Sequence, residues 1–235
     1  MRSTLLLTAA LAPVCLAAHD HAHDHGGRRG LEFHENKGQW PQQVLFRAMT
    51  PGGAVFVEPS AFTYVLRSGG PQHAMPKDTP YEPYREHAFR VHFEGGRAAA
   101  HRAEDRQPHY VNYFLGNDRA NWAGGVGVFG GAELNAVYPG IDLHVHGHEG
   151  LKYDWVVTAG ADPAAIVMRY EGQDKLEVRD GMSYVITTAG TLIEQRPVAW
   201  TERNGTRTPF VASSCSAAIA CRSSFPMAMT VRRRW

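Results

Sequence analysis

The sequence predicts an all-β protein: an antiparallel β-sandwich or barrel-like domain behind a signal peptide and a short histidine-rich linker. Three observations carry this. Short runs of β-branched and aromatic residues alternate with polar ones at period two. Glycine, proline and Asp-Gly pairs punctuate those runs at close intervals. No window places apolar residues at i, i+3, i+4 and i+7, as an amphipathic helix requires. The chain has 235 residues, 43% hydrophobic and 20% charged, which excludes a disordered or collagen-like polymer.

Residues 1–18 read as an export signal. Arg2 gives the charged start, Leu5 to Leu16 is apolar but too short to span a bilayer as a helix, and Ala17 and Ala18 suit a signal peptidase. A lipoprotein reading of Cys15 fits less well, because Val14 stands where a small residue is wanted. Residues 19–30 hold His19, His21, His23 and His25 with Gly26, Gly27 and Gly30, a polar linker without apolar periodicity.

Strands follow from residue 31. Val44, Phe46 and Ala48 alternate; Val55 to Val57 follows the turn at Pro51 to Gly53; Phe62, Tyr64 and Leu66 repeat the period. Pro71, Pro76, Pro80 and Pro83 make residues 68–86 a surface loop. Ala88, Val91 and Phe93 resume a strand. Tyr110, Tyr113 and Phe114 begin a segment that stops near Gly116, with Trp122 expected to be buried beside it. Five glycines between Gly124 and Gly131 exclude a helix there.

The second half is clearest. Ile141, Leu143 and Val145 alternate with Asp142, His144 and His146, and a turn at His148 to Gly150 leads into Leu151, Tyr153, Trp155 and Val157. That is a hairpin pattern. Ile166, Met168 and Tyr170 follow, then Leu176 and Val178, a turn at Asp180 and Gly181, Tyr184 and Ile186, and Gly190 before Leu192. The β domain is thus read as 31–213.

Residues 214–235 read as a frameshifted tail, which leaves the β domain truncated. Alternation stops after Val211, acids vanish, Cys215 and Cys221 appear, and the chain ends in Arg232 to Trp235. The adjacent reading frame permits an alternating, strand-like string over this stretch. An irregular basic tail is the competing reading.

Lys+Arg is 24 and Asp+Glu is 23, so net charge does not mark a nucleic-acid binder. Setting aside Arg2, Arg222, Arg232, Arg233 and Arg234 leaves 19 bases against 23 acids in the body. Between Ala18 and Ser213 there is no cysteine, so the core holds without disulfides.

Several stretches together resemble one family. They are Phe33 to Trp40 (FHENKGQW), Val44 to Ala48 (VLFRA), Asn112 to Gly116 (NYFLG) with Trp122, Tyr138 to Leu143 (YPGIDL), Leu151 to Asp154 (LKYD), and Gly160 to Pro163 (GADP) with Ile166 and Tyr170 to Gly172. They are similar to the N-terminal domain of large exported bacterial proteins that carry SBBP β-propeller repeats. The likeness covers most of residues 31–200. It implies a secreted or cell-surface β domain, normally preceding propeller repeats, and no catalytic residue.

Four constellations could carry chemistry. His19, His21, His23 and His25, with Asp20 and Asp24, are candidate ligands for Zn²⁺, Cu²⁺ or Ni²⁺. Cleavage after Ala18 would add a free amine, two amide nitrogens and the His21 imidazole as a square-planar set. A solvated spacer is the plainer reading. His144, His146 and His148 at period two could hold a catalytic Zn²⁺, or could simply be the polar face opposite Leu143 and Val145. Asp142 and Asp154, with Glu149 between, could form a carboxylate pair for glycoside hydrolysis, or could serve turns and edges. Trp40, Tyr110, Tyr113, Trp122, Tyr153 and Trp155 could line a sugar platform, although aromatics at strand spacing are more often core. There is no Gly-x-Ser-x-Gly, phosphate loop or His-Glu-x-x-His. Asn204 to Thr206 fits an N-glycosylation pattern and reads as a turn.

The expected function is therefore structural or interaction work by a non-enzymatic domain without a cofactor. Its partners are extracellular or on the cell surface, with no nucleic acid and no transmembrane segment. A carbohydrate- or ligand-binding module is the alternative, and a metal-dependent hydrolase using His144 and His146 a weaker one.

Overall fold

Period-two alternation folds here as expected. The computed structural model describes residues 4–12, 30–69, 83–148, 150–203, 206–210 and 227–228. The first strands are β1 (Thr4–Ala12), β2 (Phe33–Glu35), β3 (Phe46–Thr50), β4 (Gly53–Glu58), β5 (Ala61–Ser68) and β6 (Arg85–Phe93). Two long strands follow, β7 (Ala100–Phe114) and β8 (Trp122–Tyr138), then β9 (Ile141–His146), β10 (Lys152–Thr158) and β11 (Val167–Glu171). The chain continues through β12 (Lys175–Arg179), β13 (Met182–Thr187), β14 (Gly190–Glu194), β15 (Val198–Arg203), β16 (Thr206–Phe210) and β17 (Met227–Ala228). The helical elements among the described residues are single 3₁₀ turns at Arg119–Asn121 and Pro163–Ala165. In each, an aspartate (Asp118, Asp162) accepts a backbone N–H two residues on, at 2.9 Å, and so caps the turn.

β8 is the spine of the main antiparallel sheet. One of its edges pairs with β7; the other pairs with β2 and, further along, with β9. From β2 the sheet runs through β3, β4, β5 and β6 to β11. From β9 it runs through β10, β1 and β15 to β16. The two arms curl toward each other as a half-barrel, and β12, β13 and β14 form a small second sheet.

Alternation places the core on the concave side. Phe46, Val55, Val57, Phe62, Tyr64, Phe89, Val91, Phe93, Leu143, Tyr153, Trp155 and Tyr170 are all buried there. The arms meet through rings: Phe62 lies 5.5 Å from Tyr153 and Phe93 lies 5.3 Å from Trp155, centroid to centroid. Such tilted and edge-to-face pairs add to the burial of apolar area. Val185 and Ala189 bring the second sheet into the same core.

The Asp180 and Gly181 turn joins β12 to β13 with φ of 52° and 77°, the double positive φ of a type I′ hairpin. The expected hairpin at residues 141–157 is β9–β10, with His146 opposite Lys152 and Leu143 opposite Trp155. Two expectations need correction. The segment starting at Tyr110 begins ten residues earlier, because Ala100 to His109 is polar on both faces and shows no alternation. Trp122 is not buried: it is 39% exposed, on a hairpin face that no other described strand covers.

The run read as an export signal contributes β1. The histidine linker, residues 70–82 of the proline-rich loop, the Asn204–Gly205 turn and nearly all of residues 214–235 lie outside the described residues.

Candidate functional site

The imidazoles of the histidine-rich strand turn to separate partners. His144 Nε2 lies 3.4 Å from Glu133 and its Nδ1 lies 3.9 Å from Glu104, while His146 Nε2 turns to Asp154 at 3.3 Å. The imidazoles thus pair with separate carboxylates on the half-exposed outer face of β9. Among the described residues no three histidine, cysteine or acidic side chains could hold one ion. Asp142 accepts the Ala136 N–H at 2.6 Å, closing a bulge where Ala136 has φ of 49°. It serves the backbone and is not paired with Asp154. His19, His21, His23, His25 and Glu149 lie outside the described residues.

The aromatic candidates divide by environment. Tyr153 and Trp155 are core. Trp40 and Tyr113 fasten the free end of the β7–β8 hairpin to the outer surface of β2–β4, with ring centroids 5.0 Å apart. The Tyr113 hydroxyl and His34 Nδ1 share a hydrogen bond at 2.5 Å. Burial lowers the pKa of His34, which favours the neutral ring. Burial raises the pKa of the Tyr113 phenol.

The opposite face of the hairpin is bare. Tyr110 is 64% exposed and Phe114 is 67% exposed, and with Asn112 between them they share one side of β7. Phe114 sits opposite Trp122 across the ladder, with their rings edge to face at 5.4 Å. The Arg119 guanidinium lies 5.5 Å above Trp122, and the indole N–H donates to the Gly116 carbonyl at 3.1 Å. On β8 follow Gly124, Gly125 and Gly127; a side chain at Gly125 would meet nothing within 4 Å, whereas the space at Gly127 is held by Glu35 and Phe129. Asn112 Oδ1 accepts the Gly125 N–H at 2.8 Å, which fixes the amide in plane with this surface. The result is a ridge of three aromatic rings flanked by an amide and a guanidinium, on a hairpin tied down from beneath.

Beside the ridge lies a cleft of about 370 Å³ where β2 and β9 part along the edge of β8. A bulge in β7 after Arg106 opens its wall, and Asp105 there has φ of 54°. The Asp105 carboxylate occupies the space over Gly130 that any side chain would fill: a Cβ there would stand 2.2 Å from Oδ2. Glu32 crosses the cleft to His109 at 3.3 Å, and His148 lines the far side. The cleft therefore offers carboxylates and imidazoles, without a nucleophile or an anion cradle.

Sequence reasoning named Tyr110 and Trp122 and missed Phe114 and Asn112. The pattern that exposes them is visible afterwards: alternate aromatic and amide residues on one strand, and glycines on the strand that faces it.

No curated protein and no solved structure matches the chain. A family model described as "Domain of unknown function (DUF7948)" matches residues 33–215, which span β2 to β16. Within the described residues no helix is long and apolar enough to cross a membrane. An all-β half-barrel with an exposed aromatic hairpin, matched over most of its length by that one model, belongs to the DUF7948 family.

Proposed function

We propose that this chain is a non-enzymatic interaction domain of an exported or cell-surface protein, and that the β7–β8 ridge is its binding surface. The observation that carries this is the uncovered row of Tyr110, Phe114 and Trp122 on a hairpin fastened through its other face. Rigid aromatic anchors give contact area at little entropic cost, as binding hot spots do. Export is supported by Arg2, the Leu5 to Leu16 run and the Ala17–Ala18 pair. Placement ahead of propeller repeats is supported by the motifs from Phe33 to Gly172 quoted above. Intact-mass measurement of the exported protein should give an N-terminus at Ala18 or His19; retention of Met1 refutes export.

A second reading is favoured by the same row, namely a carbohydrate-binding module. Sugar rings present apolar C–H faces that stack on aromatic side chains, and the Asn112 amide and Arg119 can meet hydroxyls. Tyr110 and Phe114 are four strand residues apart, about 13 Å, which is room for more than one sugar ring.

Binding of the purified protein to producing cells, read by flow cytometry, tests both. Phe114→Ala and Trp122→Ala should each weaken binding by about tenfold or more, with circular dichroism unchanged. Competition by soluble oligosaccharides selects the carbohydrate reading, and loss after protease treatment of the cells selects a protein partner. Two well-folded variants that bind like the parent would rule out the ridge.

A further inference from the structure

β1 fills a gap. It runs antiparallel to β10 and β15, with Leu5 opposite Val157 and Thr201, Leu7 opposite Trp155 and Ala199, and Thr8 opposite Asp154 and Val198, and its last residues pair with β14, Leu11 opposite Glu194 and Ala12 opposite Ile193. The pairing covers Thr4 to Ala10 along β10 and Thr4 to Thr8 along β15. Among the described residues β15 pairs with β1 and β16, so β1 is what joins the β15–β16 hairpin to the half-barrel. Without it two rows of backbone N–H and C=O groups face each other unpaired, next to the buried Trp155 and Ala199.

We propose that the slot between β10 and β15 is a strand acceptor, filled after export by an extended segment of a partner chain with apolar residues at every second position. The proposal rests on the export reading for one point: removal of residues 1–18 is what empties the slot. The walls define the occupant. Tyr153, Trp155, Val157 and Ala199 are buried and form the side toward the core, so three alternate positions of the incoming strand must be apolar. The position next to Trp155 and Ala199 takes a leucine in β1. On the outer side Lys152, Asp154 and Val156 are half-buried and Val198 is exposed, so the intervening positions tolerate polar residues. Main-chain bonds on both edges would supply affinity and the alternate side chains would supply register, as in strand addition to a sheet. The incoming strand also secures β15–β16, so the domain is complete only when the slot is filled.

Hydrogen exchange on the full chain tests this. Thr8→Pro removes a ladder donor from the middle of the resident strand, and the double change Leu5→Asp with Leu7→Asp puts charge at two core-side register positions. Each is expected to speed exchange at least tenfold in Lys152–Thr158 and Val198–Arg203 while β4 and β5 stay protected. A lysine-flanked synthetic peptide with the sequence of Thr4 to Ala12 should restore slow exchange, and the same peptide carrying L5D and L7D should not. Slow exchange in both variants without peptide means that the gap closes by itself, and it overturns the proposal. An open gap that the peptide does not refill overturns it too. Should β4 and β5 also become fast, the variant has unfolded, and the exported chain without residues 1–18 is tested with the same two peptides. Retention of Met1 in the exported chain refutes the export reading, whereas failure of the peptide refutes the acceptor.

Discussion

Trp155→Ala is expected to destabilise the domain by about 3–5 kcal/mol, the largest loss from any single side chain described above. The indole is fully buried between Phe93 and Tyr138, at centroid distances of 5.3 and 5.7 Å, where the β6 and β10 arms meet. Truncation removes both ring pairs and leaves a void that neither arm can fill, since each is fixed by its own ladder. The indole N–H has no acceptor among the described residues. Trp155→Phe therefore keeps ring contacts and discards an unpaired donor, and it should cost under half as much. Urea unfolding of the two variants checks this ordering. Equal losses would mean that volume at this joint matters little.

A second large effect is expected from pH. Glu194, at the end of β14, is buried with three tyrosines, and Tyr170 donates its hydroxyl hydrogen to Oε2 at 2.5 Å. Burial pushes the carboxyl up to about 7, and the Tyr170 bond only partly opposes that. The phenols of Tyr64, Tyr153 and Tyr170 are held well above their usual value, first by burial and then by the nearby carboxylate. The folded pKa thus lies above the ordinary 4.5. Folding binds the proton, so this contribution is complete below about pH 4.5 and is lost as pH rises through about 7. The difference corresponds to about 3 kcal/mol. His34 and His92, lowered mainly by burial, act in the opposite direction. Subtraction isolates the acid: E194Q should remove a stability decline between pH 4.5 and 7 that the parent shows beneath the histidine effect. Parallel urea-unfolding curves for parent and E194Q across that range would contradict the assignment.

These two features differ in how far the sequence reveals them. Trp155 sits in a run where Tyr153, Trp155 and Val157 alternate, so its burial follows from period two and the facing strand Ile141 to Val145. Glu194 sits after Leu192 and Ile193 with nothing to mark it as interior; it is buried by distant strands, where β14 approaches β5, pairs with β1 at Leu11 and is bonded by Tyr170 of β11. The same asymmetry holds at the surface. Trp122 reads as core by composition, and it is exposed because no described element packs over that face of the hairpin. Ala100 to His109 carries no large apolar residue, and Ala103 alone of its apolar side chains packs on the core, so periodicity cannot find the strand. The His144 and His146 pattern was legible as a polar face, and the carboxylates beside each imidazole explain why it stays one.

The place of β8 gives the ridge a mechanical character. A ligand held at Phe114 and Trp122, as proposed above, would pull along the strand axis, away from the body. β8 is bonded to β7 along one edge and to β2 and β9 along the other. Axial load at the tip therefore meets these ladders side by side, in shear, and many hydrogen bonds share it at once. A hairpin rooted by one edge strand would instead unzip pair by pair. Under the proposed binding role, the end that displays the aromatic rings would be the end that resists tension.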